Sequence, residues 1–159
     1  MGEVIRVGIA DMNVCKAPDK ITTIGLGSCI GVVLYDEGQK IAGLVHIMLP
    51  DSTKIKHNQN ALKFADTGIV ALINRLDMMG VKKSSLKAKI AGGAKMFASS
   101  GELGSIGEKN IIAVRKTLKE LGIKIKSEDV GLNYGRTVIF DPETCDMVIV
   151  KAGKQTNII

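Results

Sequence analysis

Apolar positions along this chain of 159 residues come mostly in short runs separated by polar or glycine-containing stretches. "VIRVGIAD", Val4 to Asp11, alternates and predicts a strand. "VCKAPDK" reads as a loop, with Pro18 and Asp19 as turn residues. "ITTIGLGS" predicts a short strand running into a glycine loop. "IGVVLYD" is a continuous apolar run, ended by "DEGQ", and "IAGLVHIML" is another, closed by Pro50. The connection between them has hairpin length and a glycine. Ile30 to Leu49 therefore predicts a β-hairpin buried on at least one face.

"DSTKIKHNQN" is polar and predicts a loop. From Ala61 to Met79 the apolar residues Leu62, Ala65, Ile69, Leu72, Ile73, Leu76 and Met79 recur with helical spacing. Gly80 is the natural stop. "LKAKIAGG" predicts a strand entering a double-glycine turn. "SIGE", Ser105 to Glu108, fits a capping box, in which the serine accepts from the N3 amide and the glutamate reaches back. A second helix follows to Leu121, with Ile111, Val114, Leu118 and Leu121 on one face and Gly122 as its stop. "IKIKSEDV", "RTVIFD" and "DMVIV" are three further strand-like runs. About eight strands and two main helices, with some strands in hairpins, indicate an α+β domain rather than a doubly wound parallel sheet. The pattern shows no internal repeat and no linker, so residues 1–159 read as a single domain.

Composition narrows the function classes. Aromatics make up 3% and tryptophan is missing, which argues against stacking platforms for single-stranded nucleic acid. The net charge of +6 favours acidic partners without naming one. Its densest clusters, "VKKSSLKAK" and "KIK", read as solvated surface more readily than as a phosphate site. No apolar run is long enough to cross a membrane, and the alternating, acid-bearing N-terminus does not read as a signal peptide. Arg6 stands where a myristoylation motif needs serine or threonine. Cys15, Cys29 and Cys145 are odd in number and widely spaced, which suggests a reduced, cytosolic protein. No CxxC or HExxH pair suggests a metal site.

The chemistry concentrates at "TTIGLGSCIGVVLYD", where Cys29 sits among Gly25, Gly27 and Gly31. A G-x-C-x-G elbow would need a helix afterwards, and the segment that follows is strand-like. A dinucleotide fingerprint fails for the same reason, and its third glycine falls one residue late. A cysteine in a bare loop at a strand end is a different arrangement. Amides of Gly27, Ser28 and Cys29 can face an oxygen of bound substrate, as an oxyanion hole requires. The thiol needs a base. His46 lies in the partner strand, and a hairpin turning near Gly38 sets it nearly opposite Cys29, within reach of a thiolate–imidazolium pair. Thr23, Asp51 and Asn13 are all candidates to orient the imidazole, and the residues alone do not choose among them. His57 reads as a surface residue, and Cys15 and Cys145 as incidental.

"TIGLGSC", "HIMLPDS", "GGAKMF" and "DVGLNYGRTVIFD" together resemble the CheD family of chemoreceptor glutamine deamidases from bacterial and archaeal chemotaxis. The resemblance covers nearly the whole chain. It implies face-to-face β-sheets with flanking helices, in a three-layer fold like that of the cytotoxic necrotizing factor deamidases. It also implies a catalytic triad of Cys29, His46 and Thr23, which chooses the threonine that spacing left open. The implied reaction converts glutamine side chains of methyl-accepting chemotaxis receptors to glutamate through a thioester, as a protein-glutamine glutaminase, with no cofactor and no metal. The implied partner is the CheC phosphatase, linked to phosphorylated CheY, and methylesterase activity is a further family property. One departure stands at Gly131–Leu132, where the family often has a double glycine.

Two other classes remain open from the residues. The chain could serve mainly as a binding module that tunes CheC. It could instead be an amidotransferase subunit hydrolysing free glutamine, although the elbow context is missing.

Overall fold

The computed structural model describes residues 2–54, 60–96 and 106–159. His57 and the capping Ser105 lie outside the described residues. Ten strands are present among the described residues: β1 (Val4–Val7), β2 (Met12–Lys16), β3 (Lys20–Leu26), β4 (Ile30–Asp36), β5 (Ile41–Ile47), β6 (Lys87–Gly92), β7 (Lys124–Val130), β8 (Arg136–Asp141), β9 (Asp146–Lys151) and β10 (Asn157–Ile158). Helices α1 (Ala65–Asp77) and α2 (Ile106–Glu120) complete the frame.

The strands form two five-stranded sheets. One runs β1-β3-β8-β9-β10 and the other β2-β5-β4-β6-β7. Pairings are antiparallel except β1 with β3 and β6 with β7, the latter joined through α2 as a crossover. Why are β4 and β5 apolar on both faces? They are central strands, buried along their whole length. Ile30, Val32 and Leu34 face α1 and α2, together with Val45, Ile47, Ile69, Leu72 and Val114. Val33, Tyr35, Ala42 and Leu44 face the first sheet and meet Ile21, Leu26, Val138 and Phe140 there. The layers are thus sheet, sheet and helices, which is the expected three-layer α+β arrangement.

Two local expectations are corrected, and one strand is added. The stretch read as a loop at Val14 to Lys16 is the end of β2, paired antiparallel with β5. Met12 and Val14 alternate toward the helix side while Cys15 packs between the sheets, a pattern too brief to register as a strand. The helix expected from Ala61 begins as a 3-10 turn, Ala61–Lys63, and α1 starts only after Phe64. Phe64 is extended and forms a parallel bridge with Leu49, while the Lys63 carbonyl accepts from the Met48 and Leu49 amides. The chain just beyond His46 is therefore pinned. Strand β10 is too short to show in a pattern, and it is fixed by paired bonds between Ile159 and Met147.

The lysines of "KIK" lie on β7, at the edge of the second sheet, where Lys124 and Lys126 are exposed. Charge on an edge strand discourages pairing with another chain. Lys87 pairs with Glu37, and Lys89 reaches the carbonyls of Cys145 and Ile159. Both lysines have structural partners.

Gly31 sets the spacing between the sheets at the site. A Cβ there would lie 3.1 Å from Leu26 Cδ1 and 3.4 Å from Thr23 Cγ2. Gly31→Val should therefore overpack the interface and cost about 1–3 kcal/mol. Urea unfolding of the variant checks this, and unchanged stability would contradict tight packing at Gly31.

Candidate active site

The loop carrying the cysteine is held through its carbonyls. Gly27 O accepts from the Ala94 amide at 2.8 Å, Ser28 O from Asn110 Nδ2 at 2.9 Å, and Cys29 O from the Gly93 amide at 2.9 Å. Three consecutive peptide oxygens are thereby fixed against the end of β6 and against α2. Gly92 makes this approach possible. A Cβ on it would sit 2.1 Å from Cys29 O, and its φ of +117° is in glycine territory. Gly27 is bare for another reason, because a Cβ there would come within 3.2 Å of Met96 Cγ. The glycines around Cys29 thus let other parts of the chain close on the loop. Cys29 itself is partly exposed and packs at the margin of the cluster between the sheets.

His46 and Cys29 belong to the same face of the second sheet, but they are not directly opposed. In the hairpin, Gly31 stands opposite His46 and Asp36 opposite Ile41. The four-residue turn lies one position later than expected, at residues 37–40 rather than 36–39: Lys40 adopts φ 57° and its amide bonds Asp36 O at 2.9 Å. This moves the register by two, so Cys29 is a diagonal neighbour of His46. Diagonal Cβ atoms are somewhat less than about 7–8 Å apart, a span that long side chains cross. Gly31, directly across from the imidazole, adds no side chain between them.

The imidazole is fully buried and held from the other sheet. Thr23 Oγ1 lies 2.7 Å from His46 Nδ1 and donates to Val7 O at 2.8 Å. A hydroxyl has one proton, and here a carbonyl takes it. The threonine oxygen can then only accept from the ring, so Nδ1 carries the hydrogen. Nε2 is left with its lone pair, and it is buried without a hydrogen-bond partner among the described residues. The tautomer follows from counting protons, and it puts the basic nitrogen at the far end of the ring from Thr23.

Burial shifts both groups toward neutrality. It raises the Cys29 thiol above its ordinary value and lowers His46 below its own. A resting thiolate–imidazolium pair is disfavoured on both counts. Proton transfer then belongs to the attack itself. A thiol with a base on its own face, beside the amides of a glycine loop, has the groups that nucleophilic attack on a carbonyl carbon requires.

The other candidates go elsewhere. Asp51 accepts from the amide and hydroxyl of Thr53, and Asn13 Oδ1 from the amide of Val14. Cys15 is buried with its pKa pushed up to about 12, mainly by desolvation, and Cys145 sits in a turn at φ 63°. Several structural supports were not singled out from the sequence. Asn110 is a fully buried polar residue in the apolar stripe of α2, and that misfit was its one signal. Asp129 and Arg136 clasp the ends of the "DVGLNYGR" loop with a 2.8 Å ion pair between nearly buried side chains. Burial pushes the Asp129 carboxyl up, but its bonds to Arg136 and Lys151 outweigh this and hold it below its ordinary value. That loop supplies Leu132, whose carbonyl accepts from Lys95, and exposed Leu132, Met96 and Ile24 give the neighbourhood an apolar surface.

Fold and side chains thus define a three-layer α+β protein with a cysteine and a threonine-held histidine at diagonal positions on one sheet face. The chain belongs to the CheD family: residues 48–151 match the family model described as "CheD chemotactic sensory transduction". That match begins after His46, but whole-length relatives span the earlier elements. A probable chemoreceptor glutamine deamidase CheD of Lachnoclostridium phytofermentans is 58% identical, over 97% of each chain. One from Syntrophomonas wolfei is 50% identical over 100% of both. The chemoreceptor glutamine deamidase CheD of Halalkalibacterium halodurans is 52% identical over 91% of each.

Nitrogen-15 NMR should find neutral His46 protonated at Nδ1 and titrating below the usual histidine value of about 6.5. Thr23→Val should release the tautomer and cost about 1–3 kcal/mol, because Val7 O and the Nδ1 hydrogen lose their partner. A wild-type ring protonated at Nε2 would contradict the assignment.

Proposed function

We propose that this protein hydrolyses the side-chain amide of selected glutamines on methyl-accepting chemotaxis receptors, in the cytoplasm, giving glutamate and ammonia. The names of its relatives support the substrate. The observation that carries the chemistry is the Thr23–His46 hydrogen bond, which leaves Nε2 as a free base on the face of Cys29. Exposed Met96, Leu132 and Ile24 around the cysteine loop suit a protein substrate with an apolar face.

As the glutamine carbonyl arrives, His46 Nε2 takes the thiol proton and Cys29 Sγ bonds to the amide carbon. The carbonyl π electrons move to oxygen, where the Ser28 and Cys29 amides receive the charge. The Gly27 amide already donates to Gly25 O at 3.1 Å, which makes it the weaker donor candidate. The C–N bond breaks as the imidazolium protonates the nitrogen, and ammonia leaves a thioester. Water, deprotonated by His46, attacks the same carbon. The C–S bond breaks, and the sulfur recovers its proton from the ring. No step requires a metal or redox group.

The family resemblance adds a partner, the CheC phosphatase, linked to phosphorylated CheY. Binding of CheC would place this enzyme in feedback from the response regulator. The competing view, a binding module with idle chemistry, makes a different prediction about turnover.

Incubating the protein with a receptor cytoplasmic fragment should release ammonia and give selected glutamine residues the mass of glutamate. Cys29→Ala and His46→Ala should each abolish both signals while the fold survives. Thr23→Val should lower kcat by about 10–100-fold, as expected when a base is kept but misoriented, with Thr23→Ser close to wild type. Turnover by Cys29→Ala would remove the nucleophile. Hydrolysis of free glutamine without any receptor would transfer the chemistry to an amidotransferase-like reaction.

A further inference from the structure

Asn110 is out of place by type. It occupies the buried stripe of α2 with Gly107, Ile111, Val114 and Leu118, and its own exposure is 0%. Its Nδ2 makes two hydrogen bonds, each of 2.9 Å, to Ser28 O and Met48 O. Two carbonyl oxygens can be served only by the NH2 end of the amide, so the orientation of the side chain is set. One acceptor immediately precedes the cysteine, and the other lies two residues beyond His46. A single side chain from the helix layer therefore ties together the two segments that carry the reacting groups.

The effect on the cysteine loop is directional. Ser28 C=O and Cys29 N–H belong to one peptide unit, and in a planar trans peptide they point opposite ways. Drawing the Ser28 oxygen toward α2 turns the Cys29 N–H away from the helix layer. The Cys29 side chain packs on that other side, against the cluster between the sheets. We propose that Asn110 is the positioning residue of the oxyanion site: by holding Ser28 O it aims the Cys29 amide at the oxygen of the bound carboxamide. The proposal rests on the deamidase reading above.

Asn110 Oδ1 gives an independent reason to look for a role. It is buried and has no hydrogen-bond partner among the described residues. An unsatisfied buried carbonyl costs about 1–3 kcal/mol, which an apolar residue in this stripe would avoid. Packing alone is better served by leucine. What asparagine supplies, and leucine cannot, is a directed pull on two carbonyls.

The test separates two reactions of one sulfur. Deamidation develops charge on a carbonyl oxygen, whereas alkylation by iodoacetamide displaces iodide and develops none there. Asn110→Leu in the whole protein should lower kcat on a receptor fragment by about 10–100-fold, somewhat less than outright loss of an oxyanion donor. KM, and the alkylation rate read at the Cys29 peptide, should stay within about threefold. Asn110→Ala, which removes the same donors without added bulk, serves if the leucine variant does not fold. Unchanged kcat would overturn the proposal, and so would a parallel fall in alkylation, which would mean that Asn110 only keeps the loop folded. Turnover by Cys29→Ala would instead strike the underlying deamidase reading, so the two failures are distinguishable.

Discussion

A single hydroxyl proton organises the site. Thr23 gives it to Val7 O, on the strand paired beside its own, and must then accept from His46 across the gap between the sheets. The bond is buried, so water does not compete for it, and either partner alone would be an expensive orphan. It therefore does two jobs. It locks the sheets together at a polar point within an apolar interface, and it dictates which ring nitrogen is basic. A histidine held in the other tautomer would fill the same space but present a proton where the proposed mechanism needs a base.

The rest of the local structure exists to bring backbone close to that imidazole. Gly31, opposite His46, keeps the floor low enough for Thr23 and Leu26 to approach. Gly92 lets the β6 end press on Cys29 O, and Gly93 and Ala94 donate to the loop. The carbonyls of residues 27 to 29 are taken by Ala94, Asn110 and Gly93, and in a planar trans peptide each oxygen lies opposite the N–H of the following residue.

Much of this was legible in the sequence, and the limits have physical causes. The apolar runs of β4 and β5 are unmistakable because those strands are covered on both faces. Their register was not, since it turns on the left-handed conformation of one lysine, and lysine carries no sign of that preference. Strand β2 was missed because its pattern is brief and abuts a proline turn. The start of the helix reads too early because Leu62 fits the spacing of α1, and the extended Phe64 between the 3-10 turn and α1 leaves no mark in that pattern. Cys29 and His46 stood out by chemistry. Thr23 did not, because a threonine in a strand needs no explanation, and only the family resemblance distinguished it. Asn110 did not stand out, because its one signal is a polar type at an apolar position and its partners come from segments that periodicity cannot place.

Burial around Cys29 and His46 has a further consequence. It raises one group and lowers the other, so the resting pair is neutral. A neutral, half-buried thiol is a poor target for stray oxidants and electrophiles, because the thiolate is the reactive species. In the proposed mechanism, reactivity is then supplied by the arriving substrate. In the proposed reaction, a carboxamide docked between Cys29 and the loop amides would exclude water and offer an oxygen on which charge is stabilised while the proton passes to Nε2. The desolvation that disfavours the ion pair at rest also strengthens those amide interactions once charge appears. On that proposed reading, the same burial that holds the histidine favours a docked glutamine over free small amides.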